Sequence, residues 1–566
     1  MKTIRFSYKS LRALSFGYLL LPVLLFLAFS VKLMFSLPII LILAAVYLYA
    51  IRESDGHGGD ERKIAIPTYL FVILILLCAV WCYFGGQGGL FFQTSDWNER
   101  NAIFRDLISR AWPVRYPATD TVMTYYIGHW LPAAAGGKIL YRITGDLALS
   151  FNVGNIFLAM WTLLGVVITL LLHVYTVNPK SKKGIWIVFA LLVGFSGMDF
   201  IGCLLKRWSF ASFFEILHLE WWPGHSQFTS NTSCLFWVFN QVITAWIATL
   251  CFANEKTNRN YVFIISTSLL SATLPCVGLA ILMVGKVGFE LTDRIRHGKF
   301  RQYMKETFGF SNIATFLSWF PVIALYLISN SAFENTGANQ TGNKWDMLLP
   351  RMKVAIIIVG IVGVCAVIGY IILRRRGKLK SPFLLGCAVL LILMSLFLAS
   401  STKMALGYFA LIVLEFGVYW LLLAKDYHRE PMFYLIAFLL IIAPCIRVGI
   451  GSDFCMRASI PALTLLNIIC SKKLVSVSEN KSLKTANRLE RICSIALTVT
   501  LCIGALTPAM EFYRGIHKTV TAGQLVQPAD EIGTLNKYHS SGGIYGNFVS
   551  DSYEDSLFFK YLAQDS

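Results

Sequence analysis

Asp96, Glu99 and Arg100 stand at i, i+3 and i+4 within SDWNERNAIFRDL (95–107), just after one of the most apolar stretches of the chain. In a helix that spacing puts all three on one face, with Ile103, Phe104 and Leu107 forming a neighbouring apolar strip. The expected element is an amphipathic helix at a membrane surface, its charged face either solvated or chemically active. Carboxylates are suited to accepting a proton, and arginine to holding an anion through its bidentate fork. Three other stretches carry the same residue types. FSGMDFIG sets Asp199 in an apolar run, where a carboxylate is costly and points to function. EWWPGHSQFTSNTSCLFW sets Glu220, His225 and Gln227 among aromatics. IRVGIGSDFCMRASIPAL carries Arg447, Asp453 and Arg457, and the last two are i, i+4 and able to pair. Each has a plainer reading: a solvated helix face, a helix end at headgroup level, loop polarity, a structural ion pair. Trp208, Trp221, Trp222 and Trp237 also fit an interfacial aromatic belt. Convergence favours the functional reading, because four separate segments carry ionisable groups that topology assigns to one face.

The elements that must position these residues follow from composition. The chain has 566 residues, 56% of them hydrophobic and only 14% charged, against about 25% charged in soluble domains. This is the composition of a polytopic membrane protein. The formal net charge is +19, but the basic residues sit in short runs between apolar segments, which is a topology signal rather than a nucleic-acid footprint. Most of the 13 cysteines lie in apolar segments and act as small hydrophobes. No CxxC pair or His/Cys metal spacing occurs, and no disulfide is expected among Cys203, Cys234 and Cys455.

The expected fold is an all-α, polytopic transmembrane helical bundle. Apolar segments predict about fifteen spans: 13–31, 33–51, 66–85, 148–177, 185–205, 235–253, 260–274, 275–291, 311–329, 352–373, 382–400, 404–424, 431–447, 458–471 and 491–509. The pair around Pro275 reads as two short spans or a broken, re-entrant pair. With the N-terminus in the cytoplasm, the inside segments hold about 30 of the 50 basic residues in about 90 positions. The membrane domain is then 1–509, with a long outer loop at 86–147 and an aromatic-rich one at 206–234. A tail, 510–566, packs on those loops at the outer face. The cytoplasmic loops are short and carry no Walker-type phosphate loop, so chemistry belongs at the outer face or within the membrane.

The architecture resembles the GT-C superfamily of integral-membrane glycosyltransferases, and in particular a group of bacterial GT-C-like proteins. The matching pieces are SDWNERNAIFRDLISRAWPVRYP, YYIGHWLPAAAGGK, FSGMDFIG, SNTSCLFWVFNQ and GSDFCMRASIPAL, spread from about 95 to 465. The resemblance implies a polyprenyl-phosphate-sugar donor and an acceptor hydroxyl on a glycan, lipid or protein. It maps the acidic residue of the family's first loop onto Asp96. Where the family often has a histidine soon afterwards, this chain has Glu99 and Arg100, and its long loop follows the third span instead of the first. The implied roles are Asp96 as general base, Asp199 as acceptor-orienting group or metal ligand, and Arg457 with Arg447 on the donor phosphate. Trp97, Trp221 and Trp222 are the implied sugar-stacking rings, and Glu99, Arg100, His129, His225, Gln227 and Asp453 the other substrate contacts. No cofactor is certain. A divalent cation, Mg or Mn, would suit Asp96 and Asp199, though nothing in the spacing demands one.

Rival readings are a transporter or lipid-linked glycan flippase, and an O-antigen ligase or polymerase. No inverted repeat is visible for the first. The ligase reading expects its large loop late in the chain, whereas here it is early. A noncatalytic scaffold would not need so many charges near the spans. The implied location is a bacterial inner membrane with the C-terminus periplasmic.

Overall fold

The computed structural model describes residues 2–52, 62–206, 218–224, 226–326, 402–446, 453–479, 488–522, 526–537, 548–551 and 553–564. They are mostly helical, with few strands. Among them seven helices are long and apolar enough to cross a membrane: Tyr8–Ser30, Leu33–Arg52, Leu147–Val177, Thr273–Arg296, Gly407–Tyr427, Ile460–Glu479 and Glu490–Thr521. Two bent pairs, Lys182–Gly194 with Asp199–Leu205 and Phe300–Ser318 with Phe320–Tyr326, raise the number to nine if each is one span. Thr68–Phe84 and Pro431–Cys445 are shorter apolar helices. Fifteen spans are therefore not reached among the described residues, and the expected spans 352–373 and 382–400 lie outside them.

Local sequence explains most helix ends. Ser7 opens the first helix with a capping box, its hydroxyl accepting from the Ser10 amide at 3.2 Å. Asp146 and Ser181 cap the Leu147–Val177 and Lys182–Gly194 helices through the Leu149 and Gly184 amides, at 2.9 and 3.0 Å. Around Pro275 the break falls at Leu270–Ala272, and Pro275 lies in the first turn of Thr273–Arg296. There its missing N–H leaves no intrahelical bond unmade.

The helix Phe239–Asn254 is the core element, with every residue from Phe239 to Phe252 buried. A helix buried on all sides needs neighbours all round it, and this one packs on Tyr8–Ser30, Leu147–Val177, Thr273–Arg296 and Ile460–Glu479. Phe239, at its start, stacks on Trp97 with ring centres 4.7 Å apart, a pairing that contributes about 0.5–1.5 kcal/mol beyond area burial.

Two small sheets join distant segments. β1 (Thr3–Ser7) pairs antiparallel with β2 (Lys63–Pro67), Thr3 opposite Pro67 and Ser7 opposite Lys63. β3 (Arg115–Tyr116), β4 (Thr121–Met123) and β5 (Val549–Ser550) form the second, with Val122 opposite both Arg115 and Ser550. β5 comes from the last part of the chain, which also hydrogen-bonds Leu535 N–H to buried Asp106 at 2.8 Å and Lys32 N–H to the Leu562 carbonyl at 2.8 Å.

Gly278 sets how closely the Thr273–Arg296 helix approaches the short helix Asp453–Ala458. A Cβ there would lie 1.9 Å from the Ala458 carbonyl oxygen, so backbone meets backbone. Gly278→Ala must push the helix bearing Arg457 away. The expected loss is about 1–3 kcal/mol of stability, read as a lowered thermal midpoint in detergent. A midpoint equal to wild type would mean that the two helices are not held this closely.

Candidate functional site

Two polar centres lie near each other at one end of the bundle. The first gathers Asp96, Arg100, Asp453, Arg457 and Tyr126. Asp96 stands at the start of the helix Trp97–Ser109 without capping it, and its Oδ2 takes a bond from Arg100 at 3.0 Å. The two side chains differ in setting: Arg100 is 4% exposed and Asp96 49%. Arg100 also lies 6.0 Å from the centre of the Phe239 ring. On the other side, Arg457 pairs with Asp453 at 3.3 Å, one helical turn apart. Tyr126 hydrogen-bonds to Arg457, and Asp96 lies within its electrostatic reach. Burial works against the Arg457 charge, but Asp453, Tyr125, Tyr126 and Asp96 outweigh it and hold the guanidinium protonated. Arg457 Nε and Arg100 Nη1 are buried with no hydrogen-bond partner.

The second centre is enclosed. His218 lies between two carboxylates, with Nδ1 2.8 Å from Glu511 Oε1 and Nε2 3.4 Å from Glu220 Oε2. Nδ1 faces an acceptor, while Nε2 faces both the Glu220 carboxylate and, also at 3.4 Å, the Gln227 amide nitrogen. Burial lowers the His218 pKa, but Glu511 and then Glu220 raise it further, so the net shift is upward. Glu220 accepts from the Ser230 amide at 2.9 Å and from Gln227 Nε2 at 2.8 Å. Its pKa is nevertheless pushed up from 4.5 to about 7 by burial, with His218 acting in the opposite sense. Glu511 takes Trp237 Nε1 at 3.0 Å and a bond from Arg514. Asp199 Oδ2 accepts from Ser196 at 3.0 Å and Thr507 at 2.9 Å, and Glu415 Oε1 accepts Trp222 Nε1 at 3.1 Å. Cys234 lies between the centres, within electrostatic reach of both Glu220 and Arg457.

The residues singled out by sequence fall into distinct places. Asp96, Arg100, Asp453 and Arg457 come together. Asp199 and Gln227 join the enclosed centre with Glu220. Trp97 is buried against Phe239, and Trp222 is buried with its indole N–H on Glu415; of the three candidate stacking rings, only Trp221 presents half its surface, at 52% exposure. His129 is buried, hydrogen-bonded to Thr162 at 3.1 Å, and burial pulls its pKa down to about 3, which keeps it neutral. Glu99 is partly buried, and that burial raises its pKa. His225 and Arg447 lie outside the described residues. Among the described residues no three His, Cys, Asp or Glu side chains gather in a group able to hold a metal ion.

Glu415, Glu511, His218 and Arg514 were not singled out from the sequence. Glu415 is an acid inside an apolar run, the same signal that marks Asp199. Glu511 falls just beyond the expected end of the last span at 509, although the helix runs on to Ala522.

The raised pKa values of Glu220 and His218 contribute a defined part of the pH dependence of stability. A group that binds its proton more tightly when folded contributes stability that is complete below its unfolded pKa and lost as pH rises through its folded pKa. For Glu220 that window runs from 4.5 to about 7, and His218 acts in the same direction from 6.5 upward. Buried His129, with its pKa pulled down to about 3, pushes the whole-protein midpoint the other way below 6.5, so the quantity read is the midpoint of wild type minus that of Glu220→Gln, which is expected to fall as pH rises through the Glu220 window. A difference that stays constant or rises with pH across the window would contradict the assignment.

Comparison with known proteins finds no matching family model, no matching curated protein and no matching solved structure.

Proposed function

We propose that this chain is an integral-membrane glycosyltransferase of the GT-C kind, moving a sugar from a polyprenyl-phosphate donor to an acceptor hydroxyl at the outer face of a bacterial inner membrane. The observation that carries the reading is the half-exposed Asp96 carboxylate within electrostatic reach of the largely buried, permanently charged Arg457. The reaction needs both groups within reach of one sugar phosphate. The acceptor hydroxyl must give up its proton as it attacks the sugar C1, which Asp96 would take. The bond from C1 to the phosphate oxygen then breaks, and the lipid phosphate leaves as an anion, which Arg457 would stabilise. Asp453 and Tyr126 would orient the guanidinium, and Trp221 offers an exposed ring for a sugar face. Asp199 is a poorer candidate for the acceptor, because it is buried and already takes two hydroxyl donors. On this reading the full chain has about fifteen spans, with 352–373 and 382–400 among them, and a periplasmic C-terminal segment.

A carrier is the second reading. The observation favouring it is a buried carboxyl in a broken helix, the kind of element on which transporters build their sites.

Transfer of radiolabelled sugar from polyprenyl-phosphate donors in membranes tests the proposal. Asp96→Asn is expected to lower the transfer rate by about 100-fold or more. Its thermal midpoint should fall as well, with a loss of up to about 3 kcal/mol of stability, since Arg100 is left buried with only an amide oxygen as partner, so rates are compared at equal amounts of folded protein. Arg457→Lys keeps the charge but loses the fork, and is expected to lower the rate as well. Full activity in Asp96→Asn would remove Asp96 as the base. Wild type that transfers no sugar but accumulates labelled solute in proteoliposomes would favour the carrier.

A further inference from the structure

Asp199 and Glu415 come from two apolar segments, FSGMDFIG and LIVLEFGVYW, and meet where both helices are irregular. Asp199 opens the second half of a helix pair bent by 42°. Glu415 sits in a π-helical turn, Val413–Gly417, a distortion found frequently at functional sites. The Met198 amide donates to the Leu414 carbonyl at 3.0 Å and stitches the bend to the turn. Gly197 makes room for the carboxyl, since a Cβ there would lie 1.8 Å from Glu415 Oε2. The two carboxyl groups are 1% and 2% exposed and lie within hydrogen-bonding reach of each other.

Counting donors exposes a deficit. Asp199 Oδ2 has Ser196 and Thr507, and Glu415 Oε1 has Trp222. Asp199 Oδ1 and Glu415 Oε2 are buried and receive no donor. Among the described residues no Lys or Arg forms an ion pair with either carboxyl. The other titratable groups that face the pair are Cys203, Tyr419, Cys455 and Glu220, none of them cationic. Tyr419 gives its hydroxyl hydrogen to the Ser196 and Thr500 carbonyls, at 2.8 and 3.2 Å. Cys203 points its thiol at the Leu219 carbonyl, and Lys206, at the far end of the Asp199 helix, is exposed. Two ionised carboxylates in contact, buried and without a cation, are strongly disfavoured. A single proton supplies the missing donor.

We infer that Asp199 and Glu415 together form one buried proton-binding site, with a proton shared between the two carboxyl groups and a net charge of −1. Uptake forms one O–H bond and release breaks it, with no other reactant. The site joins four segments: the bend, the π-helical turn, the Trp222 loop and the helix Leu506–Ala522 through Thr507. Loss of the proton would set two bare carboxylates against each other at that joint. None of this rests on the glycosyltransferase reading.

Infrared spectroscopy of the full chain in lipid vesicles tests the site through the carbonyl stretch of a buried carboxylic acid, which shifts on exchange into heavy water. Wild type is expected to show such a band at neutral pH, and the variants are read in a Glu220→Gln background, because Glu220, with its pKa pushed up to about 7, adds a band of its own there. Asp199→Asn and Glu415→Gln should each lose it, because each leaves one carboxylate with an amide as its donor. Glu220→Gln should keep it, which separates the pair from its neighbour. If either variant fails to assemble, Glu220→Gln labelled with carbon-13 in Asp or in Glu carboxyls replaces it, and the band should shift in part with each label. A wild type without the band would mean that something other than a proton, such as a cation, neutralises the pair, and would overturn the site. A band surviving in one single variant, or shifting with only one label, would place the proton on one residue alone and overturn it equally.

Discussion

Charge buried away from water has to be neutralised by its immediate neighbours, and most of the arrangement at this end of the bundle follows from that constraint. Glu511 draws His218, Trp237 and Arg514 to itself, Glu220 draws Gln227 and the Ser230 amide, and Arg457 draws Asp453 and Tyr126. His218 and Trp237 reach Glu511, and Tyr126 reaches Arg457, from segments far apart in sequence, so satisfying these charges also fixes one segment against another. Such pairs add little net stability over apolar packing, but removing one member costs about 3–5 kcal/mol, because the other is left buried and unpaired. The network therefore specifies one arrangement of the loop 218–230 against the last long helix more than it strengthens the bundle.

The helix irregularities serve the same end. Where the Lys182–Gly194 helix stops, its last carbonyls lose their intrahelical partners. Asn231 and Thr232 take them over: Asn231 Nδ2 donates to Leu192 O at 2.8 Å, Thr232 Oγ1 to Val193 O at 2.8 Å, and the Asn231 amide to Phe195 O at 3.2 Å. The break is tolerated because another helix start supplies its missing donors, as membrane-depth irregularities require. Asn231 begins the helix Asn231–Trp237, which leads directly into the buried Phe239–Asn254 helix. The bend that presents Asp199 is thus tied to the core element on which Trp97 is stacked.

Helix existence was largely legible, because apolar runs are long and the membrane composition is unambiguous. What hydropathy could not show was continuity. The segment 185–205 reads as one span but is bent before Asp199, and 491–509 reads as ending where the helix in fact continues to Ala522. Cutting that helix short hid Glu511 and Arg514. Asp453 with Arg457 was readable because i, i+4 pairing is local. His218 with Glu511 was not, because nothing local relates residues 293 positions apart. Adjacent Trp221 and Trp222 look alike in sequence, yet one is half exposed and the other buried on Glu415. Neither hydropathy nor spacing decides between neighbours in a loop; tertiary packing does.

The helix carrying Asp96 is anchored along its length. At one end Trp97 is stacked on Phe239. Ten residues after Asp96, fully buried Asp106 accepts from Tyr116 at 2.9 Å and from the Leu535 amide at 2.8 Å, with Arg105 and Arg110 beside it. Between them, Arg100 is buried and bonded to Asp96. The backbone under Asp96 is therefore held while half of its side chain faces solvent. Water screens its attraction to Arg457 in that state. Any ligand that covers Asp96 removes this screening without having to move the helix, so binding strengthens the field between the two groups. A carboxylate placed only to solubilise a surface would need neither the buried arginines beside it nor so firmly held a helix beneath it.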